Sequence, residues 1–91
     1  MFVVVSYDIG DTKRRTKVMK LLKNYGKHVQ FSVFECDLTA TQLQELRQRL
    51  RALLHAPMDN VRMYFLAEDD VRRIGALAGR GVARDPLMYM V

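Results

Sequence analysis

Asp8 closes the apolar run Val3 to Tyr7, and Lys13, Arg14, Arg15 and Lys17 follow it closely in sequence. A carboxylate can hold a hard cation such as Mg²⁺, which takes oxygen ligands in octahedral geometry, and guanidinium groups grip phosphate oxygens bidentately. These residue types together are those of phosphodiester chemistry. A single strand-end aspartate also serves simply as a turn residue that accepts backbone N–H bonds, and one carboxylate is a poor metal site. A two-fold axis near Asp8 would convert it into a facing pair whose repulsion is relieved by a shared proton or a recruited cation. Arg14 and Arg15 either reach bound phosphate or pair with Asp8 or Asp11.

The charge pattern points the same way. Fifteen Lys and Arg against ten Asp and Glu give a net charge of +5, and the segment from Lys13 to Lys27 holds seven basic residues and no acidic one. A helix that serves only solubility mixes signs to gain pairs one turn apart, whereas a one-sign segment favours a polyanion through counterion release. Lys13, Lys17 and Lys20 share an outward face suited to contacts with a nucleic-acid backbone, with an ordinary solvated helix face as the plainer alternative.

Ninety-one residues, 49% of them hydrophobic, suit a single domain over 1–91 with a core in about 1–68. No apolar run approaches the roughly 20 residues of a membrane span, no basic leader precedes residues 2–5, and Cys36 has no partner for an intrachain disulfide. A soluble, cytoplasmic protein is expected, with no membrane partner.

The elements that must position Asp8 alternate along the chain. Phe2 to Tyr7 reads as a central strand, apolar on both faces. Asp11 or Thr12 can cap a helix with Val18, Leu21, Leu22 and Tyr25 as its stripe and Gly26 as its C-terminal residue. His28 to Cys36 reads as one strand, with Val29, Phe31 and Val33 on one face and Gln30, Ser32 and Phe34 on the other. Thr39 and Gln42 form a capping box for a second helix that buries Leu43, Leu46, Leu50, Leu53 and Leu54 and stops before Pro57. Asp59 and Asn60 turn the chain into a strand from Val61 to Leu66, and a short helical turn at Asp70 to Arg73 precedes a Gly-spaced hinge, Ile74 to Val82. A last short strand, Leu87 to Met90, follows Pro86.

This order predicts an α+β, ferredoxin-like βαββαβ domain with an additional short C-terminal strand, provided that the second strand region forms a hairpin or the tail supplies the missing edge. Helices then cover one face of the sheet, and the other face of the first strand needs a partner, which an isologous homodimer would supply. The hinge and tail, about 69–91, are free to contact that partner chain.

Other constellations are weak. His28, His55 and Cys36 lack zinc-ligand spacing, and Gly75, Gly79 and Gly81 lack the Lys-Ser or Lys-Thr of a phosphate loop. The Gly-aromatic signature of an RNA-recognition sheet is missing from Val61 to Leu66, which leaves Phe34 as a single stacking candidate. Met58, Met63, Met88 and Met90 read as core or interface filler.

Five features together resemble the small CRISPR-associated nuclease family, the lesser of the two universal adaptation proteins. They are the strand ending Tyr7-Asp8-Ile9, the basic Arg14-Arg15-x-Lys17, the Tyr25-Gly26 turn, Val29-Gln30-x-Ser32-Val33-Phe34-Glu35, and Asp85-Pro86 before a short strand. Their order spans nearly the whole chain, and the Gln-x-Ser-Val-Phe-Glu stretch is the most specific of them. The resemblance implies a ferredoxin-like homodimer in antiviral defence that acts as a Mg²⁺-dependent endonuclease on RNA or DNA. It also implies the nucleic-acid-binding dimer that works with the adaptation integrase in spacer acquisition. Within it Asp8 is the catalytic residue and metal ligand, Tyr7 its neighbour in the cleft, and Arg14, Arg15 and Phe34 line the nucleic-acid site. Two alternatives stand beside the nuclease: a non-catalytic DNA-binding scaffold of the integration complex, and an mRNA-cleaving, toxin-like relative of the same fold.

Overall fold

The computed structural model describes residues 1–79 and Gly81. Seven elements follow one another: β1 (Phe2–Asp8), α1 (Thr12–Leu22), β2 (Gly26–Gln30), β3 (Val33–Asp37), α2 (Ala40–Leu53), β4 (Asn60–Leu66) and α3 (Glu68–Arg72). The strands form one sheet in the order β2-β3-β1-β4 with every neighbouring pair antiparallel. This is the α+β, ferredoxin-like arrangement, with α3 added after the fourth strand.

The open question of the second strand is settled by a hairpin. His28 to Cys36 does not run as one strand: the chain reverses at Phe31 and Ser32, so that Lys27 faces Glu35 and His28 faces Phe34, with a register shift between His28 and Gln30. No Gly or Asn marks this turn, and neither central residue has positive φ, so it is not one of the primed hairpin types that sequence advertises. Tertiary bonds fix it instead. The Tyr7 N–H donates to the Ser32 carbonyl at 3.0 Å, and the Tyr7 hydroxyl donates to the Phe31 carbonyl at 3.2 Å.

Gly26 also has a different role from the expected helix stop. Helix α1 ends at Leu22, with Lys23 as its C-cap, and Gly26 begins β2 directly against β3. A Cβ there would lie 2.4 Å from Cys36 Sγ and 2.5 Å from the Glu35 carbonyl oxygen. The glycine is therefore required by close approach of two strands.

Both long helices pack on one face of the sheet. Asp11 caps α1 by accepting the Arg14 N–H, and the Thr39–Gln42 capping box starts α2 as the sequence predicts. Val18 and Leu22 from α1 and Leu43, Leu46 and Leu50 from α2 meet Val3, Val5, Tyr7, Phe34 and Cys36 of the sheet. Full burial of each such aliphatic side chain stabilises by about 1.5–3 kcal/mol. On the opposite face Phe2 packs with Val71 of α3, flanked by Val4, Leu66 and Ile74. The cover expected from a partner chain is thus supplied in part by this chain itself, over the first half of β1. The predicted strand Leu87 to Met90, with Asp85-Pro86 before it, lies outside the described residues, as does the end of the hinge.

Gly26→Ala should destabilise the fold by about 1–3 kcal/mol through overpacking against backbone, a fall in Tm of roughly 4–8 °C per kcal/mol. Gly10→Ala, where nothing lies within 4 Å of the added carbon, should stay within about 0.5 kcal/mol of wild type. Thermal unfolding of the two variants checks this; equal Tm values would remove the close-approach account of Gly26.

Candidate nucleic-acid interface

Asp8 is the last residue of β1 and lies opposite Asn60 of β4. Successive residues of a strand point to opposite faces, so Asp8 shares the face of Phe2, Val4 and Ser6, away from α1 and α2. It is exposed, beyond the cover given by α3, and its carboxylate makes no hydrogen bond or ion pair among the described residues. Nor do any three His, Cys, Asp or Glu side chains among the described residues gather where they could hold an ion. Among the described residues Asp8 is an exposed carboxylate with no companions.

The arginines are already engaged. Arg14 Nε and Nη2 donate to Asp59 Oδ2 and Oδ1 at 2.8 and 3.0 Å, and Nη1 lies 3.4 Å from Asp11. The Asp59 side chain has no solvent exposure, and its Oδ2 also accepts the His55 N–H at 2.9 Å. The Arg14 bond foremost, then that of His55, holds the Asp59 carboxyl below its usual 3.8, while the same bond raises Arg14 further. Arg14 is thus a brace between α1 and the turn before β4. Its partner is 45 residues away, and Asp59 was legible in the sequence only as a turn residue.

Arg15 donates to the Ile9 and Gly10 carbonyls at 3.0 and 3.4 Å, which secures the loop directly after Asp8, and to the Thr12 hydroxyl at 3.4 Å. Lys13, Lys17 and Lys20 are all exposed on α1. The first turn of that helix carries no acidic side chain; Lys13 and Arg15 there oppose the helix dipole, whereas the charge of Arg14 is offset by Asp59 and Asp11. Positive charge is kept at this end against the interest of helix stability.

Two expected contact residues need correction. Tyr7 is 4% exposed and Phe34 is fully buried, so neither offers a ring face to a base. Tyr7 points to the helix-covered face, opposite to Asp8, and burial pushes its hydroxyl above its usual value of 10.0 against the pull of the Arg15 charge. Phe34 turns inward because the hairpin resets the alternation, and its ring stacks on His28 at 4.4 Å between centroids. Phe31, read as one of a strand's apolar face, is the exposed ring instead, at 78%. Burial foremost, with the nearby Glu35 charge, pushes the Cys36 thiol to about 11.

The model of the family described as CRISPR associated protein Cas2 matches residues 1–74. The chain belongs to that family. A relative from Chloroflexus aurantiacus, named CRISPR-associated endoribonuclease Cas2 3, is 45% identical over 92 residues, covering 100% of this chain and 98% of its own. The crystal structure of Streptococcus pyogenes Cas2 at pH 6.5 superposes with a TM-score of 0.76 at 36% identity, covering 86% of this chain and all of that one. A chain of a partial Cas6-RT-Cas1–Cas2 complex superposes with a TM-score of 0.78 at 27% identity over 93% of each chain. Family membership agrees with the ferredoxin-like sheet and with the resemblance carried by the strand motifs. Among the described residues no helix is long and apolar enough to cross a membrane.

Because the Asp59 carboxyl is depressed in the folded protein, its contribution to stability is full above the unfolded value and is lost as pH falls through the folded one. Asp59→Asn should lower Tm at neutral pH and should also flatten the fall of Tm below about pH 4 relative to wild type. Thermal melts from neutral to strongly acidic pH check both; parallel curves would show that the Arg14–Asp59 charge pair contributes nothing.

Proposed function

We propose that two copies of this chain form a metal-dependent endonuclease and nucleic-acid-binding unit of CRISPR adaptation, acting in the cytoplasm on RNA or DNA. The observation that carries the reading is Asp8, an exposed carboxylate unpaired among the described residues at the end of the central strand, beside a helix whose first turn holds Lys13, Arg14 and Arg15 and no acidic residue. A homodimer with its axis near Asp8 brings two carboxylates together, the number that Mg²⁺ commonly takes beside waters and phosphate oxygens. When bound, such an ion lowers the pKa of a water and offsets negative charge that builds on the phosphate. Asp8 from each protomer holds the ion, Arg15 secures the loop that sets the Asp8 backbone, and Lys13, Lys17 and Lys20 draw the polyanion along α1. The relative named an endoribonuclease supports the hydrolytic activity. The neighbour from a complex that contains Cas1 supports an adaptation integrase as partner.

A second reading, a non-catalytic scaffold of the integration complex, is favoured by the exposed lysines of α1, which can hold a polyanion without Asp8, and by the neighbour from a complex that contains Cas1. One experiment separates the two. Asp8→Ala and Asp8→Asn should abolish Mg²⁺-dependent cleavage of RNA and DNA probes while dimerisation and salt-sensitive binding persist. Cleavage by the variants at the wild-type rate would leave the scaffold.

The electrostatic part is tested separately. Neutralising Lys13, Lys17 and Lys20 should weaken duplex binding and reduce the slope of log K against log salt by about one per lysine. An unchanged slope would remove α1 from the interface.

A further inference from the structure

Phe31 stands 78% exposed at the tip of the β2–β3 hairpin, where a two-residue turn ordinarily takes small polar residues. It gains little there from burial. Its setting is nonetheless built. The Arg15 guanidinium lies 5.9 Å from the ring centroid, and Arg15 is itself tied to the Ile9 and Gly10 carbonyls. His28 Nε2 lies 3.0 Å from the Phe31 carbonyl oxygen, which also accepts the Tyr7 hydroxyl. With Tyr7, Arg15, Thr16, Met19 and His28, Phe31 lines a pocket of about 360 Å³, near the lower end of small-ligand sites. No carboxylate is among these walls.

An exposed aromatic face over a cation, beside a hydroxyl and a thioether, suits a flat ring attached to a polyanion. At about 100° per helical residue, Thr16 falls on α1 between Met19 and the face that bears Lys17 and Lys20. A backbone lying on those lysines therefore runs along the rim of the pocket. Continuous duplex keeps its base faces stacked internally, whereas an unpaired base presents one to a protein ring.

We propose that Phe31, backed by Arg15, stacks on an unpaired nucleobase next to the strand held along α1, so that the protein distinguishes single-stranded ends from continuous duplex. The proposal rests on the nucleic-acid reading of the preceding section and adds a base-contacting site to it. The hairpin is fixed in place by three bonds before any ligand arrives, so stacking needs little further ordering of the protein.

The chain has no tryptophan, so Phe31→Trp introduces a single indole reporter at the proposed contact. Its emission should be quenched by a duplex carrying a single-stranded overhang and not by the blunt duplex of equal length. Phe31→Ala should bind the overhang probe about tenfold more weakly and the blunt duplex as wild type does. Unaltered overhang affinity in Phe31→Ala, or equal quenching of Phe31→Trp by both probes, would overturn the base contact alone. Absence of binding by wild type to either probe would overturn the nucleic-acid reading and this site with it.

Discussion

The Arg14–Asp59 pair is the contact on which the geometry around Asp8 depends. Asp59 directly precedes Asn60, which faces Asp8 across the β1–β4 ladder, and Arg14 stands in the first turn of the helix that follows Asp8. Two planar bonds thereby lock the start of α1 to the start of β4 with Asp8 between them. The Asp59 side chain is excluded from solvent, so loss of Arg14 leaves its carboxylate with only the His55 N–H as a partner. The same carboxylate holds the His55 N–H and so shapes the turn after α2. One ion pair thus sets the positions of a strand, a helix and a loop.

The cations consequently divide their duties. Arg14 braces the scaffold, Arg15 fastens the loop after Asp8, and Lys13, Lys17 and Lys20 of α1 stay exposed. Cover along β1 is graded in a matching way. Its helix-side residues are sealed throughout, while on the other side Phe2 and Val4 lie beneath Val71 and the following Ser6 and Asp8 emerge from cover. The Arg14–Asp59 brace beside the end of β1 and the open solvent over that end give Asp8 a fixed position without occupying it.

Much of this was legible from residue order because it is locally encoded. The Val-rich first strand, the Leu stripe of α2 and the Thr39–Gln42 capping box each carry their own signal within a few residues, and all appear where the pattern places them. The β2–β3 turn was not, since Phe31-Ser32 has no turn chemistry and is held by Tyr7, 24 residues away from Phe31. The turn decides the place of Phe34: on a continuous strand it falls on a half-polar face, and with the hairpin it falls in the core. Gly26 is ambiguous in sequence for a related reason, because a helix stop and a close strand crossing use the same residue. Asp59 carried no signal beyond its turn propensity, and its role exists only through a partner distant in sequence.

The central claim, that two Asp8 side chains from two chains share one ion, is tested most directly by stoichiometry. Titration of the dimer with Mn²⁺ as a paramagnetic substitute, followed by electron paramagnetic resonance, should show one bound ion per two chains, lost in Asp8→Ala. Binding of one ion per chain, or equal binding by the variant, would contradict it.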